Sequence, residues 1–250
     1  MSVNKHYKDV KKVLRKNKYS GIFTGKYSFS PYRACSHACK YCDGRYEKYS
    51  VEGDFEKDIV IRKNIPDLIE NEVIKIRERG IISISSGVSD PYQPVEKEEK
   101  IMNRCSEILS KNNLPVSVKT KSSLILRDIE NWKKVHNNNF FSLMVSLVYA
   151  DDQIRKIFEP FTSSVKRRLN TLRTFKNNNM FAGVIMMPII PYIADSEEQI
   201  IDLVEKLKEI NVDYIWPGCL TLKAGRQKEL FFNTIKSEYP VFFDKFKDLY

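Results

Sequence analysis

The sequence predicts an α/β protein with parallel strands. Short apolar, β-branched segments alternate with amphipathic segments of helical period along most of the 250 residues. A β-then-α order repeated in this way joins parallel strands through helical crossovers. Roughly six such units fit, one of them containing a cysteine-rich segment, and neither a fixed-period repeat nor a linker divides the chain. Six units are fewer than the roughly eight of a closed barrel, so an open, partial barrel and a doubly wound sheet are the two architectures left.

The elements follow in order. The first twenty residues are basic, and Tyr7, Val10, Val13 and Leu14 suggest a short helix. Residues 22–32 are aromatic-rich and irregular, and the cysteine segment after them has little periodicity. Pro66 opens a helix at its first turn; Leu68, Ile69, Val73, Ile74 and Ile76 form its apolar face and Gly80 ends it. Residues 81–85 form a short strand. A helix over 95–109 carries Ile101, Met102, Cys105, Ile108 and Leu109 on one side. Strands over 116–120, 140–148, 180–187 and 212–216 alternate with helices over 124–135, 163–175 and 196–210. The tail over 229–250 is helical with a break at Pro240. Trp132 and Trp216 are expected in the core.

Composition bounds the function classes. Hydrophobic residues make up 42% and charged residues 30%, which is the balance of a folded soluble chain. Lys+Arg is 42 against Asp+Glu 32, and the net charge of +10 attracts anions, nucleic acid first among them. Runs of Lys and Asn at 111–113, 137–139 and 177–179 show that compositional drift contributes to it. No window approaches about 18 consecutive apolar residues, so no membrane span or membrane partner is expected. The start runs into a charged segment without an apolar stretch, so no secretory leader is expected, and the expected location is cytoplasmic.

There are five cysteines, an odd number that argues against a disulfide framework. Cys35, Cys39 and Cys42 fall within eight residues, in Cys35-Ser-His-Ala-Cys39-Lys-Tyr-Cys42. Structural zinc wants a second knuckle that the sequence lacks. A thioredoxin-like pair, Cys39 and Cys42, should open a helix directly after a strand. Three closely spaced thiolates on one loop suit an iron–sulfur cluster with one iron left open, because a fourth would close it. Cys105, on the apolar helix face, reads as core, and no second cysteine-rich block calls for an auxiliary cluster.

This CxxxCxxC pattern, with Tyr41 just before the last cysteine, resembles the radical S-adenosylmethionine (SAM) superfamily. The resemblance implies a [4Fe-4S] cluster on Cys35, Cys39 and Cys42 whose open iron binds SAM. It implies reductive cleavage of SAM to a 5′-deoxyadenosyl radical that abstracts hydrogen from a substrate. It also implies an electron donor of ferredoxin or flavodoxin type. The implied fold is a partial (β/α)6 barrel in a single domain, with the core at 31–221 between an N-terminal extension (1–30) and a C-terminal helical tail (222–250).

Further segments resemble one branch, the spore photoproduct lyase and DNA repair photolyase-like proteins. They are Pro31-Tyr32-Arg33-Ala34-Cys35-Ser36-His37; Ser89-Asp90-Pro91-Tyr92-Gln93-Pro94-Val95-Glu96; Thr120-Lys121-Ser122 with Leu126-Arg127-Asp128; Glu159-Pro160 with Arg167-Arg168-Leu169; and Pro188-Ile189-Ile190-Pro191. Matches in this order are harder to obtain by chance than one motif. The resemblance implies that Tyr41 packs on SAM near its adenine and that Ser89 contacts the methionyl group. Lys121 would pair with the SAM carboxylate, Ser146 would contact the ribose or carboxylate, and Val184 to Pro188 would line the adenine. His37, between ligands, is expected to face solvent or a cluster sulfide, while Tyr92 and Arg168 would hold loops and helices in place.

The branch's lyases carry a hydrogen-donor cysteine three residues before the motif aspartate, where this chain has Gly87. Cys219, after the last strand, reads first as a small loop or core residue, and as the candidate thiol hydrogen donor in the alternative. The function expected is a radical SAM enzyme with nucleic acid as the possible substrate. A peptide or small-molecule substrate is the alternative within the class, and a non-catalytic metal-binding module the alternative outside it.

Overall fold

The computed structural model describes residues 2–18, 25–85 and 87–250. Strands β1 (Asn4–Tyr7), β2 (Arg15–Lys16), β3 (Tyr27–Phe29) and β4 (Tyr32–Arg33) precede the cysteine loop. After it come β5 (Asp58–Ile61), α1 (Ile65–Val73), β6 (Ile82–Ile84), α2 (Glu96–Glu99), α3 (Ile101–Ser110) and β7 (Val116–Thr120). Then follow α4 (Ile129–Asn138), β8 (Phe141–Ser146), α5 (Asp152–Phe158), α6 (Val165–Asn177) and β9 (Phe181–Ile189). The chain closes with α7 (Glu197–Ile210), β10 (Ile215–Cys219), α8 (Arg226–Glu238) and α9 (Phe243–Leu249).

The main sheet has seven strands in the order β10-β9-β8-β7-β6-β3-β2. From β3 to β10 every pairing is parallel, and only β2 is antiparallel to its neighbour. These parallel strands follow one another in chain order without a reversal. A doubly wound sheet requires a reversal, so that alternative falls. β10 and β2 remain as edges, which makes the fold an open, partial barrel in a single α/β domain. A small second sheet has the strand order β1-β5-β4.

Period-two alternation gives the main strands two unlike faces. On one face Val116, Val118, Leu143, Val145, Ala182 and Val184 are buried. The Phe141 ring of this face stacks on Trp132 of α4 at 5.1 Å and on Phe175 of α6 at 5.8 Å, so it is the face the helices cover. The other face carries Ser117, Ser142 and Ser146, also buried. A polar interior of this kind suits a ligand-holding barrel better than a filled core.

Several expectations are corrected. The expected N-terminal helix is instead β1 followed by extended chain. β1 pairs in parallel with β5, and Val13 and Leu14 donate their N–H groups to the Glu72 carboxylate of α1, each at 2.8 Å. Tyr7, counted on the apolar stripe, is 54% exposed. Tertiary pairing overrode a helix-like spacing of apolar residues. The stretch expected to be irregular contains β3, the first parallel strand; Ile22, Phe23 and Thr24 lie outside the described residues. The single helix expected over 95–109 is two, broken at Lys100 with φ +53°. The buried Glu96 carboxylate accepts the Met102 N–H at 3.1 Å and so starts α3 afresh. The helix expected over 124–135 begins as a 3-10 turn over Ser123–Asp128 before α4. α5 went unread because it is short, although its Asp151 cap is visible in the sequence. Trp216 is not core: it stands 42% exposed on edge strand β10.

Candidate active site

The cysteine loop runs from the end of β4 back across the C-terminal ends of the parallel strands. Cys35 and Cys39 each close a tight turn, with Ala38 N–H on the Cys35 carbonyl and Cys42 N–H on the Cys39 carbonyl, both at 3.3 Å. Gly44 follows, and a Cβ there would meet the Gly87 carbonyl and the Phe55 ring at 2.8 Å, so only glycine allows this close approach.

The loop is tied from outside by residues far away in sequence. Gln93 accepts from Ser36 N–H at 2.9 Å and donates to the Ala34 carbonyl and to Ser89 Oγ, each at 3.0 Å. Gln227 of α8 donates to the Tyr41 carbonyl at 2.9 Å. Arg45 donates to the Cys39 carbonyl at 3.2 Å. Lys40 N–H bonds the Phe158 carbonyl at the end of α5 at 2.9 Å. Asp90 ties its own loop to the end of β7: it accepts from Thr120 Oγ1 at 2.6 Å, from Lys121 N–H at 2.8 Å and from Tyr92 N–H at 2.8 Å.

A cavity of about 330 Å³ opens at this end of the barrel. Cys35, Cys39 and Cys42 line it from the loop, and Ser89, Lys121 and Ser146 from the strand ends. Tyr41, Pro188 and Cys219 line it too. Lys121 donates to Ser146 Oγ at 2.7 Å, and its ammonium lies 5.8 Å from the centre of the Tyr41 ring. Of the residues expected at the site, Val184 is not there. It is fully buried on the helix-facing side, and alternation brings its neighbours Ile185 and Met187 to the cavity instead. Pro188 reaches it from the strand end. Cys105 is buried in α3, as expected of a core residue.

A buried network underlies the cavity. Tyr41 donates its hydroxyl to Glu159, and Arg168 pairs with the same carboxylate. Arg168 also donates to the Ser146 carbonyl at 2.9 Å. Burial acts to raise the Glu159 pKa, but Arg168 and Lys121 outweigh it and hold the carboxyl below its usual range. Tyr92 bonds Asp128 at 3.0 Å and receives the Trp132 N–H at 2.9 Å, a holding role as expected. His37 is not at the surface: it is 2% exposed, with Nδ1 3.6 Å from Asp90 Oδ2. Burial pushes its pKa down to about 4, against the pull of Asp90, so the ring is neutral at pH 7.

The donor set decides what the cavity can hold. Burial pushes the Cys35 thiol well above its usual range, the Cys39 thiol up to about 12, and the Cys42 thiol upward as well. Two buried thiols and one half-buried thiol with raised pKa values give up their protons most readily to a cation that takes the thiolates. Among the described residues no three His, Cys, Asp or Glu side chains are gathered closely enough for one metal ion. A cluster spreads its thiolates over separate irons, and three soft donors around a cavity fit such a group. Glu159 and Asp90, the buried acids nearby, are committed to Arg168 and to backbone N–H groups, and leave the thiols as the donors.

Sequence reasoning missed Gln227, Arg45 and Lys119 at or around the cavity. Lys119 was legible as the alternate of Lys121 on one strand face; the other two gave no local signal.

No helix among the described residues is long and apolar enough to cross a membrane. The chain is 33% identical over 233 residues to an uncharacterized protein of Methanocaldococcus jannaschii, covering 92% of this chain and 82% of that one. It is 24% identical over 244 residues to an uncharacterized protein of Mycobacterium tuberculosis, covering 96% and 72%. Among solved structures, a spore photoproduct lyase variant with bound AdoMet and dinucleoside spore photoproduct superposes with a TM-score of 0.63 at 14% identity. That match covers 91% of this chain but only 63% of the lyase, so the chain spans less than two thirds of its length. SuiB of Streptococcus suis bound to its precursor peptide SuiA superposes at 0.57 and 15% identity, over 78% of this chain and 39% of SuiB. At these identities the likeness is one of fold. A model of the radical SAM superfamily matches residues 29–215, from the first parallel strand to the last. With three cysteines facing the mouth of an open parallel barrel, the chain belongs to the radical SAM superfamily.

Proposed function

We propose that the protein is a radical SAM enzyme that holds a [4Fe-4S] cluster on Cys35, Cys39 and Cys42 and acts on a nucleic-acid substrate. One observation carries the reading: the three loop thiols line the same cavity as the Lys121–Ser146 pair. When bound, the cluster would supply the electron for reductive cleavage of SAM, the source of the radical chemistry on the substrate.

The chain's own residues bind and orient. Lys121 offers an ammonium to the SAM carboxylate, and Ser146 fixes that ammonium through a 2.7 Å hydrogen bond. Ser89 stands ready for the methionyl group, and its hydroxyl is held by Gln93 Nε2 at 3.0 Å. The Tyr41 ring packs against the adenine end, its hydroxyl anchored on Glu159. Pro188 and Ile185 give that end an apolar wall. Cys219 lines the cavity at the exposed end of β10, placed to return a hydrogen atom to a substrate radical. A ferredoxin or flavodoxin supplies electrons in a cytoplasmic setting. Nucleic acid is favoured by the net charge of +10 and by the fold shared with a lyase bound to a dinucleoside lesion.

Anaerobic reconstitution tests the reading. Four irons and four sulfides should bind per chain, and reduction with SAM should yield 5′-deoxyadenosine. Cys39→Ala should abolish both while Cys105→Ala keeps both. A wild-type chain that takes up no iron, or that makes no 5′-deoxyadenosine, overturns it.

A further inference from the structure

One cation of the cavity has no hydrogen-bonded or ion-paired partner among the described residues. The carboxylates around it are committed: Asp43 accepts from Lys223 Nζ at 2.7 Å, and Asp90 binds Thr120 and two backbone N–H groups. Lys121 is committed to Ser146. Lys119 also lines the cavity, yet among the described residues no hydrogen bond or ion pair engages its ammonium. It lies on β7, two residues before Lys121 and on the same strand face. Two residues deeper on that face, the buried Ser117 hydroxyl also lacks a hydrogen-bond partner among the described residues. A half-buried ammonium with no hydrogen-bonded or ion-paired partner is free to take an anion from outside the chain. Burial first and then the neighbouring Lys121 press the Lys119 pKa down, and Asp90 and Asp43 only partly offset them.

The residues joined to the cavity through Asp43 indicate the kind of anion. Asp43 at the cavity edge binds Lys223, whose ammonium lies 4.6 Å from the Tyr49 ring centre and 5.3 Å from that of Tyr46. Aromatic faces beside basic groups are how proteins receive bases together with their phosphates. We propose that Lys119 receives a phosphate group of the substrate inside the barrel, a different anion from the SAM carboxylate assigned to Lys121. This rests on the reading of the cavity as the SAM and substrate site.

The test is anaerobic calorimetry on the reconstituted protein with the dinucleotide TpT, thymidine, inorganic phosphate and SAM as separate probes. Wild type should bind TpT more tightly than thymidine. Lys119→Met should weaken TpT binding roughly tenfold or more, as expected for a lost charged hydrogen bond, and leave thymidine and SAM unchanged. Lys119→Arg should retain TpT. The Met variant should melt no lower than wild type, because the ammonium has no hydrogen-bond partner among the described residues to lose. Inorganic phosphate bound as tightly, with the same dependence on Lys119, assigns the site to a free phosphate group rather than to a nucleic-acid backbone. Equal TpT affinity in wild type and Lys119→Met, or a loss confined to SAM, overturns the proposal. Wild type that holds iron and cleaves SAM but binds no phosphate probe sinks the Lys119 assignment and leaves the radical SAM reading standing. Phosphate binding that depends on Lys119 in a chain that takes up no iron keeps the Lys119 assignment and sinks the radical SAM reading.

Discussion

Gln93 holds the cysteine loop from both sides of Cys35: its side-chain carbonyl accepts the Ser36 N–H at 2.9 Å, and its amide donates to the Ala34 carbonyl at 3.0 Å. All three partners are buried. Replacing Gln93 with leucine leaves a buried N–H and a buried C=O unpaired, which costs about 2–4 kcal/mol. Urea denaturation of Gln93→Leu should read that loss, and the variant should retain less iron after reconstitution than wild type. Unchanged stability and iron content would show that the loop holds its shape without the clamp.

Lys121 and Ser146 predict a graded effect on SAM binding. Lys121→Met removes the ammonium and should weaken SAM binding about tenfold or more, the scale of one charge-assisted hydrogen bond. Ser146→Ala only frees the ammonium to move and should weaken it by a smaller factor. Equilibrium dialysis with labelled SAM measures both, and the reverse ranking would refute these roles.

Gly87 is open space for a side chain. A Cβ built there meets nothing within 4 Å, and Gly87 lines the same cavity as the cysteine loop. Gly87→Cys should therefore fold normally, with a stability change within about 1 kcal/mol. Thiol titration should count one additional reactive cysteine. A protected thiol or a sharp drop in melting temperature would contradict the open geometry.

The small sheet carries an acid-labile joint. Asp58 of β5 accepts from Asn4 Nδ2 of β1 at 2.8 Å and from Asp54 N–H at 2.7 Å, with His6 Nε2 at 3.1 Å. The Asn4 bond first, then those from Asp54 and His6, hold the Asp58 pKa down to about 2. A carboxyl depressed on folding contributes stability above its unfolded value, and that contribution drains as pH falls through the folded one. Stability should therefore decline between about pH 4 and pH 2 through this group, and Asp58→Asn should flatten that part of the profile. Parallel pH profiles of wild type and variant across the window would disprove the joint.

Much of this protein is legible in its residues because much of it is local. The strand over 116–120 and the helix over 196–210 emerge from periodicity and caps, and the structure places them at Val116–Thr120 and Glu197–Ile210. The Cys35, Cys39 and Cys42 spacing names a chemistry by itself, because three thiolates on one loop need only that loop. Other features required the folded chain. β1 exists because β5 lies beside it, and a four-residue strand with one apolar residue sends no signal of its own.

The sequence alone determined the parallel α/β order, the cysteine loop and most of the expected residues that line the cavity. Only the tertiary structure decided between an open barrel and a doubly wound sheet, since strand order is a property of pairing and not of pattern. It also moved Val184 to the helix-facing side while bringing Ile185 to the cavity. It tied Tyr41 to Glu159 across 118 residues and left the Lys119 ammonium without a hydrogen-bond partner among the described residues. The physical reason is the same in each case. Periodicity fixes which residues share a face, but burial, pairing and charge compensation are settled by what packs against that face.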